Sequence, residues 1–264
     1  MKKTITKMFI GTILLSIVMI YPASCARHIS TVYTLEDLQT KRIGVTVGSV
    51  SELVAVEKFP NAELLHFNEH MDSVAALLAG QIDGAITSWP TAFLTARNVP
   101  GLKYINEPLT DDYVGIAIRK GNDELLRTVD EFITEIRNNG ILYEMETRWF
   151  DMENRDYVMP RIPISTTGDP LRIGVSANRE PMTFIDSNGD FSGLDTELAL
   201  RIGAALNRPI VFIDMRFSSL VPALESGQVD LLISNVSITE ERKMAVNFTQ
   251  PYNRNPQMMI VRSN

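Results

Sequence analysis

Few side chains in this sequence stand where they could do catalytic chemistry. His66 and His70 are four residues apart, a metal-ligand spacing when both lie on one helix face. However, Leu64-Leu65-His66-Phe67 reads as a strand and Asn68-Glu69-His70 as a turn, which separates them. The chain holds 3 histidines in all, which leaves little for acid or base work. It has no Gly-x-Ser-x-Gly elbow, no phosphate loop, no His-Glu-x-x-His pair and no Cys-His couple. The expectation is therefore no metal, no cofactor and no catalysis. A different chemistry is open to Arg242. Thr239, three residues earlier, begins a helix; helix N-termini attract anions, and a guanidinium pairs a carboxylate through two parallel hydrogen bonds. Taken by itself, an arginine at a helix start is more often a solvated surface charge.

The beginning of the chain speaks to compartment. Lys2, Lys3 and Lys7 precede an apolar stretch over residues 8–21, followed by Pro22-Ala23-Ser24-Cys25. That is the order and charge of a secretory signal peptide, and the stretch is shorter than the about 20 apolar residues a membrane-spanning helix needs. Residues 1–24 are read as the removed segment. Cys25, the single cysteine of the chain, follows two small residues as in the lipobox of bacterial lipoproteins, which makes it the expected site of lipidation; the alternative is a spare thiol behind an ordinary cleavage site. One thiol cannot form an intrachain disulfide, so the core must hold the fold unaided. The formal net charge of −7 includes the three lysines of the removed segment. A chain this acidic, without a basic cluster, is not expected to bind nucleic acid.

The elements that would position these residues come in two copies. Arg42-Ile43-Gly44-Val45-Thr46-Val47 reads as a buried strand, and Arg172-Ile173-Gly174-Val175 repeats its opening. Ala76-Leu77-Leu78-Ala79-Gly80-Gln81-Ile82-Asp83 recurs as Ala223-Leu224-Glu225-Ser226-Gly227-Gln228-Val229-Asp230. In each, an amphipathic helix ends at a glycine and feeds a short buried strand. Strands alternating with helices imply parallel pairing, so each half is an α/β lobe. Between the copies, residues 123–150 carry apolar positions at helical spacing, interrupted at Asn138-Asn139-Gly140. Residues 151–170 hold three prolines and no clear period, and read as a linker.

Residues 171–261 resemble the opening half of the bacterial extracellular solute-binding proteins of family 3, the amino-acid-type periplasmic receptors. The resemblance rests on Arg172-Ile173-Gly174-Val175, Gly193-Leu194-Asp195, Ser237-Ile238-Thr239-Glu240-Glu241-Arg242 and Phe248-Thr249-Gln250-Pro251-Tyr252. Residues 34–150 resemble the closing half, through Gly44-Val45-Thr46-Val47-Gly48-Ser49, Gly80-Gln81-Ile82-Asp83, Tyr113-Val114-Gly115-Ile116 and Arg148-Trp149-Phe150. The order of the halves is reversed. The resemblance therefore implies a two-lobed α/β fold of the periplasmic binding protein type 2 (Venus-flytrap) class in permuted chain order. Residues 34–112 match the family's second lobe, 113–150 supply a hinge strand and closing helices, 151–170 form the linker, and 171–264 make the main part of the first lobe. The hinge is expected near residues 113–118 and 258–261. A remnant of a tandem array would read identically, but it would leave open sheet edges and uncovered cores, which favours the permutant.

In this family the ligand carboxylate is held by an arginine and by backbone N–H groups beside a Ser-Ile-Thr turn. The matching positions are Arg242, Ser237 and Asn235. Phe217 falls where the family has an aromatic lining the pocket, and Gly48-Ser49-Val50 matches a loop that offers donors from the other lobe, to which Ser49 could add its hydroxyl. The departures are informative. Members that bind α-amino acids place an acid where this chain has Ser88, and often another where it has Ser176, to neutralise the ligand's ammonium group. Where the family often stacks a tyrosine, this chain has Arg179 followed by Glu180, which could neutralise Arg179 or supply the missing acid. The resemblance implies an extracytoplasmic, lipid-anchored, monomeric binder of a small carboxylate without a free α-amino group, with a second anionic arm facing Arg179. It would serve an ABC permease or a sensor at the membrane. Dehydratase-like enzymes and cell-wall or sensory binding modules of the same fold are the alternatives.

Overall fold

The β-branched run that opens each repeat folds as a buried parallel strand, and each strand organises a five-stranded sheet. The computed structural model describes residues 34–150 and 158–263; the apolar stretch of residues 8–21, Cys25 and the first part of the linker lie outside them. In the leading lobe β1 (Arg42–Thr46), α1 (Val50–Lys58), β2 (Glu63–Phe67), α2 (His70–Leu78), β3 (Gly84–Ser88), α3 (Trp89–Asn98) and β4 (Leu102–Ile105) follow in order. The chain crosses through β5 (Tyr113–Val114) to β6 (Ala117–Arg119), α4 (Asp123–Asn138) and α5 (Ile141–Phe150). The trailing lobe continues with β7 (Leu171–Val175), a small antiparallel sheet of β8 (Asn178–Arg179), β9 (Thr183–Ile185) and β10 (Phe191–Ser192), then α6 (Leu194–Ala205), β11 (Ile210–Asp214), α7 (Leu220–Glu225) and β12 (Leu231–Leu232). It closes with α8 (Glu240–Ala245), β13 (Val246–Phe248), β14 (Asn253–Arg254) and β15 (Gln257–Arg262).

The two sheets have one design. The leading sheet runs β2-β1-β3-β15-β4 and the trailing sheet β11-β7-β12-β6-β13. In each, three strands pair in parallel, and the strand entering from the other half of the chain is antiparallel to both its neighbours. Each lobe thus completes its sheet with a strand the other half supplies, and the lobes are joined by two chain crossings.

Placing residues 258–261 at the hinge requires correction. They lie inside β15, bonded to β3 on one edge and to β4 on the other, and all four are buried. A strand satisfied on both edges cannot bend without breaking its ladder. The crossings meet instead where β5 pairs antiparallel with β14, a two-residue ribbon that carries few hydrogen bonds.

The repeats also share their polar anchors. Arg42 donates from its backbone N–H and from Nε to one oxygen of Asp83 and from Nη2 to the other, at 3.2, 3.0 and 2.9 Å. Arg172 binds Asp230 in the same three ways, at 2.9, 3.0 and 2.7 Å. The preceding helices α2 and α7 each run into a glycine in the left-handed region, Gly80 at φ +69° and Gly227 at φ +77°, where a Cβ would be strained.

Helices α4 and α5 precede the linker but bury their apolar faces in the trailing lobe. Val129, Ile133 and Ile136 fall on one stripe of α4 and, with Leu142, Met145 and Trp149 of α5, share a core with Leu171, Ile173, Leu198 and Ile202. Each such side chain stabilises the fold by about 1.5–3 kcal/mol. A polar tie accompanies them: the fully buried Glu197 carboxylate accepts from Arg148 Nη1, Trp149 Nε1 and Arg201. A carboxylate at such depth is tolerable only when paired in this way.

Candidate ligand-binding site

The ends of β1 and β12 point their following loops into one groove between the lobes. The pocket there has a volume of about 260 Å³ and is lined from the leading lobe by Gly48 and Ser49 and from the trailing lobe by Phe217, Val236 and Arg242. Gly48 sits at φ +71°, and a Cβ on it would come within 3.2 Å of the Ser218 Cα, so the lobes approach closely at this loop.

Arg242 bridges the groove. Its Nη1 donates to the Ser237 carbonyl at 2.8 Å, which fixes the side chain against its own lobe, and its Nη2 donates to the Gly48 carbonyl of the opposite lobe at 2.9 Å. Thr239 caps α8 as the sequence implies, its hydroxyl accepting from the Arg242 backbone N–H at 3.2 Å. Burial holds the Arg242 guanidinium below the usual arginine range, partly countered by Glu241 and Asp112.

Phe217 begins a short 3₁₀ turn and is only 7% exposed. The Arg179 guanidinium lies over its ring at 4.3 Å from the centroid, and Arg242 lies over the same ring at 5.5 Å. An aromatic face stabilises a nearby cation, and here one ring serves two. The Arg179 group is lowered to about 10, first by burial and then by the neighbouring Arg242 charge. Among the described residues it forms no hydrogen bond or ion pair, and its buried Nε has no partner. Glu180 therefore does not neutralise it. Glu69 and Asp195 act on it only from beyond ion-pair distance.

The remaining expected residues frame this centre without all facing it. Asn235 holds φ +52°, and its Oδ1 accepts from Asn255 Nδ2. Ser237 contributes its carbonyl to Arg242 and bridges to Val114 at the crossing. The Ser49 hydroxyl donates back to the Thr46 carbonyl at 2.7 Å, so its proton is committed to its own loop. Ser176 is buried, its N–H donating to Ser234 Oγ. Ser88 is buried at the end of β3, its Oγ donating to Thr91 Oγ1 at 3.2 Å; the Thr91 hydroxyl in turn reaches the Glu180 carbonyl across the lobes at 3.5 Å.

Reading His70 as a turn residue missed its role here. It opens α2, is 2% exposed, and lines a second interlobe pocket of about 340 Å³ with Thr91, Ala177, Asn178 and Glu180. Its Nε2 lies 3.1 Å from Thr95 Oγ1 and its Nδ1 has no partner. Burial, reinforced by Arg179, lowers it to about 3, so the ring is neutral. His66 stands apart on β2, paired with Glu52, and among the described residues no cluster of metal-binding side chains forms. The signal that could have exposed His70 is its place at the start of a helix whose next turns are apolar.

Residues 171–264 match the bacterial extracellular solute-binding proteins, family 3. That match covers about a third of the chain. Probable histidine-binding proteins of Campylobacter jejuni and Neisseria gonorrhoeae are 37% and 33% identical over 82 and 99 residues, covering 31% and 38% of this chain and 32% and 37% of theirs. ABC transporter arginine-binding protein 1 of Escherichia coli is 32% identical over 98 residues, covering 37% of this chain and 40% of its own. The chain thus spans less than half the length of these curated relatives. Among solved structures, an ancestral arginine-binding protein bound to arginine is 41% identical over 33% of this chain and 38% of its own, with a TM-score of 0.32. The arginine-bound form of domain 1 from TmArgBP is 35% identical over 36% of this chain and 80% of its own, also with a TM-score of 0.32. The family 3 segment holds Arg179, Phe217, Asn235, Ser237 and Arg242, whereas Ser49, His70 and Ser88 come from the other part of the chain.

Proposed function

We propose that this chain is an extracytoplasmic solute-binding protein, lipid-anchored through Cys25, whose two lobes close on a small carboxylate-bearing molecule and deliver it to an ABC importer or a sensor. The observation that carries the reading is the Arg242 guanidinium, fixed by Ser237 on one lobe and aimed at the Gly48 carbonyl on the other. A bound carboxylate would exchange that interlobe carbonyl contact for a stronger, charge-paired one and keep the groove closed. The ligand moves the open–closed equilibrium only by its preference for the closed form. The relatives' names, histidine- and arginine-binding, support a ligand of the amino-acid kind.

The reading includes a circular permutation of the family's chain order. Two features support it: each sheet takes its antiparallel strand from the other half of the chain, and α4 and α5 bury against the lobe that follows them. A remnant of separate tandem units would leave those faces bare. Calorimetry of the purified chain against a panel of amino acids, monocarboxylates and dicarboxylates tests the function, with small-angle scattering reporting closure. Saturable binding of at least one acid with a contraction in radius is expected. No heat and an unchanged profile across the panel would refute the reading.

A further inference from the structure

Resting on that reading, we propose that the ligand is a small dianion, one acidic group received at Arg242 and the other in a second subsite formed by Arg179 of the trailing lobe and His70 of the leading lobe. Two buried nitrogens without partners belong to opposite lobes, Arg179 Nε and His70 Nδ1, and the His70 ring lies close enough to feel the Arg179 charge. Both residues are more than nine-tenths buried, at 7% and 2% exposure. Buried polar groups are paired in folded proteins, and an orphan marks a place where something else binds.

The charge balance agrees. Arg179 and Arg242 share the Phe217 ring, so their guanidinium carbons can be no farther apart than the sum of their two distances to its centroid. That span lies within reach of the two ends of a short dicarboxylate. Two guanidiniums held this close repel one another, and the ring offsets this only in part. Of the nearby acids, Asp195 already accepts from the Tyr252 hydroxyl at 2.7 Å, and Glu69, whose own buried Oε2 has no partner, stands outside ion-pair distance of Arg179. His70 is neutral and can donate or accept at Nδ1 but adds no negative charge.

The test uses the full chain and matched probes, with succinate set against butyrate and glutarate against valerate, measured by calorimetry. The wild type is expected to bind the dicarboxylate of a pair at least about tenfold more tightly, the range of one charge-assisted hydrogen-bonded contact. Arg179→Met should bring that ratio close to one, and His70→Gln should reduce it severalfold. Should Arg179→Met fail to unfold cooperatively in urea, Arg179→Lys and His70→Gln decide through the same ratio. Equal binding of both acids by the wild type, or an unchanged ratio in the variants, overturns the dianion while leaving the carboxylate receptor standing. Silence from all four probes overturns the dianion, and the receptor reading falls only if the wider panel of amino acids and carboxylates is silent too.

Discussion

Arg242 on the trailing lobe and Gly48 on the leading lobe are joined by a 2.9 Å hydrogen bond from Nη2 to the carbonyl, a direct polar contact that spans the groove. Because Nη1 of the same group is held by Ser237, the guanidinium is preorganised and loses little entropy on meeting a ligand. Arg242→Met keeps most of the side-chain length and its contact with Phe217 but removes every donor. The variant is expected to lose about 10–100-fold in affinity for whichever acid the wild type binds, the worth of a hydrogen bond to a charged group. Calorimetry measures the loss, and urea melts should show stability changed by less than about 1 kcal/mol because the site is half-open to solvent.

The paired anchors Arg42–Asp83 and Arg172–Asp230 have the same geometry but different exposure. The Asp83 side chain is 7% exposed and receives a further bond from Arg262, whereas Asp230 is 21% exposed and its arginine 40%. Asp83→Ala strands two largely buried guanidiniums and is expected to cost about 3 kcal/mol; Asp230→Ala should cost about 1 kcal/mol. Burial alone would raise the Asp83 carboxyl, but the bonds from Arg42 and Arg262 outweigh it and hold the group below the ordinary carboxylate range. Its contribution is therefore complete at neutral pH and disappears as pH falls below about 4. Urea midpoints of the two variants at pH 7 and pH 3 would show the difference between them shrinking.

Much of this architecture is written in local patterns. Arg-Ile-Gly-Val opens a strand in both lobes because its β-branched residues suit a sheet buried on both faces. The Gly-Gln-Ile-Asp and Gly-Gln-Val-Asp turns work because the glycine stops a helix and the acid returns to the first strand. Arg242, Ser237 and Phe217 meet because they lie within one segment whose motif is continuous. What escaped depends on distant partners. Nothing near residues 258–261 tells that β3 and β4 will cover both their edges, so local pattern alone suggests a hinge where the fold has a central strand. His70 gains its burial from α3, 25 residues onward, where Thr95 approaches its ring. The Ser49 hydroxyl was available in sequence but is drawn inward by a carbonyl of its own loop.

Asp195 introduces a pH dependence of the opposite sign to Asp83. It is fully buried, and burial raises it to about 7 although the Tyr252 hydroxyl and Thr183 favour its charged form. In the unfolded chain the same carboxyl titrates near about 4. Between those values the folded state binds the extra proton, so this group's contribution is full below about 4 and is lost as pH rises toward about 7. Asp195→Asn retains an oxygen to accept from Tyr252 and cannot ionise. The expected outcome is a urea midpoint that declines less steeply from pH 4 to pH 7 in Asp195→Asn than in the wild type. Parallel profiles would show that Asp195 is ionised throughout.

Ser88 tests the ligand's chemistry from the opposite direction. The side chain is buried at the end of β3 and bonded to Thr91, whose hydroxyl reaches across to the trailing lobe. An acid at this position would be the counter-charge that the resemblance assigns to receptors of α-amino acids. Ser88→Asp places a carboxylate where no cation touches it, and the ligand-free variant is expected to lose about 1–3 kcal/mol in urea unfolding. A ligand ammonium group would relieve that cost. Glutamate should therefore gain on glutarate by about tenfold or more relative to the wild type, and should restore part of the lost stability when present in excess. Arg179 complicates the outcome in one measurable way: a new aspartate that turned to pair with it would weaken both acids together, and the ratio of their affinities would stay as it is in the wild type.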